Sequence, residues 1–237
     1  MVILMPLKML EPTIKPFNSH EFRLWQLISP TLPIGAYAYS QALEFAVETG
    51  WVSDRSTAYE WMSGQLKATL GRLESPVCMR LFSAFSEPDL AGAVYWNQFL
   101  LSSRETSELL LEDQQLGQAL TRLLNDLEVE LPVAFRGEPI AYLTAFAFAA
   151  HSWAIPLHQA LPGILWSWCD NQVSALIKLM PFGQTDGQRL LASLVDAIPG
   201  IIDTAELLSD DEIGNTAYGV AMASSMHETQ YSRLFRS

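Results

Sequence analysis

Charge is what this sequence has least of. Only 17% of its 237 residues are Asp, Glu, Lys or Arg, against about 25% in ordinary globular chains. Lys and Arg number 14 and the formal net charge is −12. Nucleic acid is therefore excluded as a partner, because phosphate binding needs clustered cations. Two cysteines, Cys78 and Cys169, cannot form a disulfide framework and read as reduced, buried thiols. The longest apolar run, Ile140 to Ala150, is too short to span about 30 Å of bilayer. Met1 to Leu10 has no basic leader and no small-residue cleavage site, so a signal peptide is not expected and a cytosolic location is.

Catalytic signatures are missing too. There is no G-x-x-x-x-G-K-[ST], no G-x-G-x-x-G after a strand, and no G-x-S-x-G elbow. His227-Glu228-Thr229-Gln230-Tyr231 opens like a zincin helix but ends in Tyr. The four histidines (His20, His151, His158 and His227) show no ligand spacing, so neither a metal site nor a stable cofactor is expected. Alternating strand patterns bounded by hairpin turns are absent, and no Ser/Gly-rich or charged linker divides the chain.

Helical spacing is what remains. Residues 1–20 read as a flexible arm, 21–226 as one domain and 227–237 as a tail. Thr57 to Glu60 has the form of a capping box for a helix running towards Arg72. Pro76 and Pro88 stand near helix starts. Ser103 to Leu127 repeats Leu at helical intervals, and Glu130 to Glu138 reads as a loop. Pro139 to Trp153 is apolar all round, the mark of a helix buried on every side. Pro162 is expected to open the next helix, towards Met180, and Thr185 to Gln188 to cap another. Asp196 to Glu212 should hold a turn at Pro199-Gly200, and Thr216 to Met226 a last helix. The predicted fold is all-α: a single-domain helical bundle around a buried central hydrophobic helix.

Three blocks stand out. In Ser29-Pro30-Thr31-Leu32-Pro33-Ile34-Gly35-Ala36-Tyr37-Ala38-Tyr39-Ser40-Gln41-Ala42-Leu43-Glu44, two prolines and a glycine make a stiff apolar loop between short helices, suited to a core or a partner. Glu44 and Glu48 share one helix side, away from Leu43, Ala46, Val47 and Trp51. Glu44 is either a solvated charge or a contact, and its replacement by Ala is expected to stay within about 0.5 kcal/mol. In Pro181 to Gln188, a helix break and a new cap explain Gly183, Thr185 and Gln188, and leave Gln184 and Asp186 as polar-network or interface candidates. The tail carries His227, Glu228, Tyr231, Arg233, Leu234, Phe235 and Arg236. Tyr and Arg are hot-spot types. The tail either folds back on its own core or binds a partner, and as a terminal segment it is expected to add little to stability.

In their order and spacing these blocks resemble the urease accessory protein F family, whose signature reads S-P-x-L-P-x-G-[AS]-[FY]-x-[YH]-S-x-G-L-E. Two departures are visible. Ala42 stands where Gly is usual, and Leu110 where Arg is common after Arg104-Glu105-x-x-Glu108-Leu109. The resemblance implies an all-α, dimerising, cytosolic, non-catalytic scaffold. It implies bridging between urease accessory protein D (or H) and the nickel-carrying GTPase, accessory protein G, for GTP-dependent nickel insertion into apo-urease. The implied partner-binding residues are Tyr39, Ser40, Glu44, Gln184, Asp186, His227, Glu228, Tyr231, Arg233, Leu234, Phe235 and Arg236. Nickel would be handled by the complex. Two other readings stay open: a helical adaptor unrelated to urease, and an all-α enzyme with a site built from Glu44, His227 and Glu228.

Overall fold

The computed structural model describes residues 19–87 and 89–237. The arm expected before Glu21 falls outside them, except that Ser19 and His20 already belong to α1, Ser19–Leu27. Pro88 is likewise outside. Among the described residues every regular element is helical, as the spacing predicts.

The centre is α7, Tyr142–Ser152, whose Ala145, Phe146, Ala147, Ala149 and Ala150 are fully buried. A buried helix must have its first N–H groups satisfied, and Ala141 at the N-cap has no side chain to do so. Two neighbours supply the acceptors. Asp113 Oδ1 accepts from Tyr142 N at 2.7 Å, and Asn97 Oδ1 from Ala141 N at 2.9 Å. These residues come from α6, Ser107–Asp126, and α5, Leu90–Ser102. The approach is close enough to demand Gly117: a Cβ there would lie 1.9 Å from the Ile140 carbonyl oxygen.

α3, Arg55–Gln65, runs without a break into a π-helical stretch, Leu66–Glu74, and then α4, Ser75–Ser86. Pro76 explains the widened turns. In a continuous α-helix it would clash with the Arg72 carbonyl and leave it without a donor. The π winding moves that carbonyl aside, and Gly214 N donates to it at 2.9 Å.

Four expectations about helix starts need correction. Asp54, not Thr57, is the N-cap of α3: its Oδ1 accepts from Thr57 N at 2.9 Å, and Thr57 Oγ1 returns the bond to Asp54 N. Asp caps as well as Thr does, so the helix gains nearly a turn. Pro162 lies inside α8, Leu157–Leu179, because Pro156 already holds the extended conformation that precedes a helix. Gly183 is the uncapped start of α9, Gln184–Val195, so Thr185 is not a cap. Pro199 starts α10, Ile198–Glu206, where a turn was expected, since proline at the second helical position needs no N–H. The remaining helix, α11, is Tyr218–His227.

The two departures from the family pattern differ in structural consequence. Leu110 is half-buried on α6, and nothing in the structure explains its replacement of Arg. Ala42 precedes α2, Leu43–Glu48, in the left-handed region at φ 64°, fully buried. Only glycine adopts that region freely, and an Ala there carries about 1–2 kcal/mol of strain. Ala42→Gly removes the strain and loses one buried methyl, about 0.8 kcal/mol. The expected net effect is a rise in melting temperature of about 1–3 °C, read by a thermal melt; a fall would show that the methyl's packing outweighs the strain.

Candidate functional site

The signature loop is fastened to α8 and α6 by its polar groups. Tyr37 Oη donates to Asp170 at 2.8 Å and Tyr39 Oη to Gln115 at 2.5 Å. Trp168 Nε1 donates to Gln41 Oε1 at 2.7 Å, and Gln172 Nε2 to the Ser40 carbonyl at 3.3 Å. Gly35 at φ 82° reverses the chain into a short 3-10 turn, Ala36–Ala38. Tyr39 and Ser40 end up buried, and α2 starts with Glu44 in its first turn.

Glu44 is not on a solvated face. It is 7% exposed, and the tail lies over it. Its Oε1 accepts from Leu234 N at 2.6 Å and its Oε2 from Phe235 N at 2.8 Å. The tail therefore folds back on its own chain, against the expectation that it adds little to the fold. Ionised carboxylates bind backbone N–H groups roughly twice as strongly as neutral acceptors do, and Glu44 gives the strap two such bonds. Ser237 completes the closure: its main-chain oxygen accepts from Ser40 N at 2.8 Å and Ser40 Oγ at 2.7 Å. Beyond Arg233 the strap alternates. Phe235 and Ser237 are buried; Leu234 and Arg236 point outward. This is the period of extended chain.

Beneath the strap, α11 meets α6. His227 is fully buried; its Nδ1 is 2.7 Å from Glu108 Oε2, and its Nε2, 3.6 Å from Glu44, has no hydrogen-bond partner. Arg233 pairs with Glu108 Oε1 at 2.6 Å and also donates to the Glu228 carbonyl. Glu228 itself accepts from Ser107 Oγ at 2.5 Å. One turn along α6, Glu112 accepts from Gln41 Nε2 at 2.9 Å and from Ser237 Oγ at 2.5 Å. Burial pushes the Glu112 carboxyl up to about 7, although its hydrogen bonds work in the other direction. Next to it Asp113 pairs with Arg104, which also holds Glu74, at 2.9 and 2.8 Å. Burial opposes the Arg104 charge, and the two carboxylates more than offset it, raising its pKa.

The structure thus brings Tyr39, Ser40, Glu44, His227, Glu228, Arg233, Leu234, Phe235 and Arg236 into one region. Tyr231 is fully exposed at its edge. Gln184 and Asp186 belong elsewhere. They open α9, which packs on α8 and α3, and Asp186 pairs with Arg189 on its own helix at 3.1 Å. Glu108, Glu112 and Ser237 were not among the expected site residues. A signal for one of them was present: Glu112, with Asp113 beside it, falls within the Leu109–Leu116–Leu120 stripe of α6, where a carboxylate must be buried.

This arrangement suits binding better than acid–base chemistry. Both Glu44 oxygens are occupied and His227 has no exposed surface, so Glu44, His227 and Glu228 offer no accessible catalytic pair. The cavity beside Glu112 and Arg104 is about 100 Å³, below the 300–1,000 Å³ usual for ligand pockets. Among the described residues no group of three or more His, Cys, Asp or Glu could hold a metal ion, and no helix is long and apolar enough to cross a membrane. Cys78 and Cys169 are buried free thiols, both pushed up to about 12, chiefly by burial.

Fold and site together define an all-α domain whose most unusual residues form a polar knot closed by a strap. Comparison with known proteins identifies the group. The family model UreF matches residues 52–195. The urease accessory protein UreF of Alkalilimnicola ehrlichii is 50% identical over 91% of this chain and 95% of its own length. Those of Psychrobacter cryohalolentis and Teredinibacter turnerae are 46% and 43% identical, over 90% and 93% of this chain and 93% and 100% of theirs. The chain belongs to the UreF family of urease accessory proteins.

Two outcomes follow from the knot. Glu44→Ala orphans two main-chain donors, each worth about 1–3 kcal/mol. A loss of roughly 2–4 kcal/mol in denaturant unfolding is expected, against the near-neutral effect of a surface charge; a loss below about 0.5 kcal/mol would mean that the strap is not held there. Glu112, with its carboxyl raised in the fold, contributes stability that is full below about pH 4.5 and is lost as pH rises through about 7. Glu112→Gln keeps a neutral amide in place. Melts across that range should show a falling stability in the parent protein and a flatter profile in the variant, which becomes the more stable of the two at alkaline pH. Parallel profiles would refute the assignment.

Proposed function

We propose that this chain is a non-catalytic scaffold of urease maturation. It acts in the cytosol, as a homodimer, bridging urease accessory protein D (or H) and the nickel-carrying GTPase G for GTP-dependent delivery of nickel to apo-urease. Nickel is handled by the complex, and no cofactor stays on this chain. Family membership supports the maturation role, and the occupied, buried Glu44–His227–Glu108 group favours a scaffold over an enzyme.

The observation that carries the docking part is the alternation of the strap. Its inward residues fix it to α2 and α6, while Tyr231, 104% exposed, and Leu234, 65% exposed, face outward with nothing among the described residues to cover them. Aromatic and aliphatic anchors on a pre-organised segment bind without a large ordering penalty. Both positions lie in the segment that the blocks of the sequence mark for accessory protein D (or H).

The test is Tyr231→Ala with Leu234→Asp, in a pull-down with purified accessory protein D (or H) and in a urease activation assay. Capture should weaken by at least about tenfold, or 1.4 kcal/mol, and urease activity and nickel content should fall with it. The melting temperature should stay within about 2 °C, because both side chains are already in solvent. Undiminished capture and activation would overturn the docking surface. Nickel-loaded, active urease formed without this chain would overturn the function.

A further inference from the structure

Most of the described arginines are matched to an acceptor within the chain. Arg80, Arg104, Arg189 and Arg233 pair with carboxylates, Arg55 reaches a carbonyl, and Arg23 lies over Trp153. Arg72, Arg122, Arg136 and Arg236 do not fit this pattern, and of these Arg122 and Arg236 share one cleft. Among the described residues neither guanidinium has an ion pair or a hydrogen bond. Both are exposed, and both line one cleft of about 350 Å³, with Ile34, Ala38, Gln115 and Gln118. On a chain of net charge −12, two unmatched guanidinium groups on one cleft form a local site of opposite sign.

The cleft is pre-arranged. Arg236 N donates to the Ala38 carbonyl at 2.9 Å, and the buried Phe235 and Ser237 hold it from either side. The Gln115 Oε1 is already taken by Tyr39 Oη at 2.5 Å, which leaves the Nε2 donors as the free pole of that amide. Gln115 and Gln118 also line a neighbouring groove of about 860 Å³, bounded along α6 by Gln114, Thr121 and Asn125 and on its other wall by Arg136, Glu130 and Glu138, so that the positive end of the surface is the Arg122–Arg236 cleft. From Leu111 to Asn125 this face of α6 is about 21 Å long, enough for roughly six residues of extended chain. A row of side-chain amides suits peptide N–H and C=O groups, and the guanidinium pair suits carboxylates.

We propose that the Arg122–Arg236 cleft docks the acidic end of an extended segment of a partner protein, whose uncharged remainder follows the amide row of α6. The site lies beside the outward Leu234 but does not depend on the urease role. The continuous groove favours a peptide over a compact anion, which would leave the amide row unused.

The probe is a dye-labelled peptide of two Glu followed by Gly, roughly six residues long, tracked by fluorescence anisotropy on the full chain. Saturable binding that weakens with added salt is expected. Arg122→Glu with Arg236→Glu should weaken it by at least about tenfold and should instead bind the corresponding Lys–Gly peptide. Arg122→Lys with Arg236→Lys should retain part of the affinity. A thermal melt within about 2 °C of the parent is expected for these exposed positions. No binding by the parent chain, equal binding by the charge-reversed variant, or equal binding of the Gln–Gly peptide would overturn the proposal. Displacement by inorganic phosphate as effective as by unlabelled peptide would overturn it in favour of a compact-anion site. Each arm is read on this chain alone, so failure here leaves the scaffold reading standing.

Discussion

One carboxylate accepting two backbone N–H groups organises the distinctive part of this molecule. Glu44 sits in the first turn of a helix of only six residues, too short to be stable by propensity. The chain around it holds two successive residues, Gln41 and Ala42, at positive φ. That geometry persists because the surroundings over-determine it. Ser40 is bound to Ser237, Gln41 to Trp168 and Glu112, and Glu44 to Leu234 and Phe235. Removal of the strap would leave Glu44 without its two N–H donors, Glu108 without Arg233 and Glu112 without the Ser237 hydroxyl.

Periodicity and packing agree where a helix is long or buried on all sides. The run from Ile140 to Ala150 announced α7 because no charged residue interrupts it, and the leucines of 107–126 announced α6. Legibility failed where a residue has two possible jobs. Proline opens α10 at Pro199, sits at the junction of π and α winding at Pro76, and is tolerated inside α8 at Pro162. At Pro76 the freed Arg72 carbonyl found Gly214, more than a hundred residues away, a partner that no local pattern contains.

The site was legible in its parts and not in its assembly. Three blocks were marked by composition, and two of them, around Glu44 and at the tail, meet in space. Their meeting depends on pairings about 190 positions apart, and no spacing rule reaches that far. The third block, around Gln184 and Asp186, lies on α9. Glu44 reads as a helix-surface residue, either a solvated charge or a contact, because its helix looks amphipathic; what buries it is a strap of main chain, whose N–H groups leave no mark in the sequence.

The Glu112–Ser237 contact ties the strap to the solvent's protons. A carboxyl whose pKa is raised to about 7 while the strap is closed returns towards its ordinary range once water reaches it, so an opening near pH 7 would release part of a proton. Linkage is reciprocal. Whatever lifts the strap acidifies its surroundings, and a more acidic surrounding holds the strap down. Closure of the strap is thereby coupled to the protonation of Glu112, and so to the medium around it.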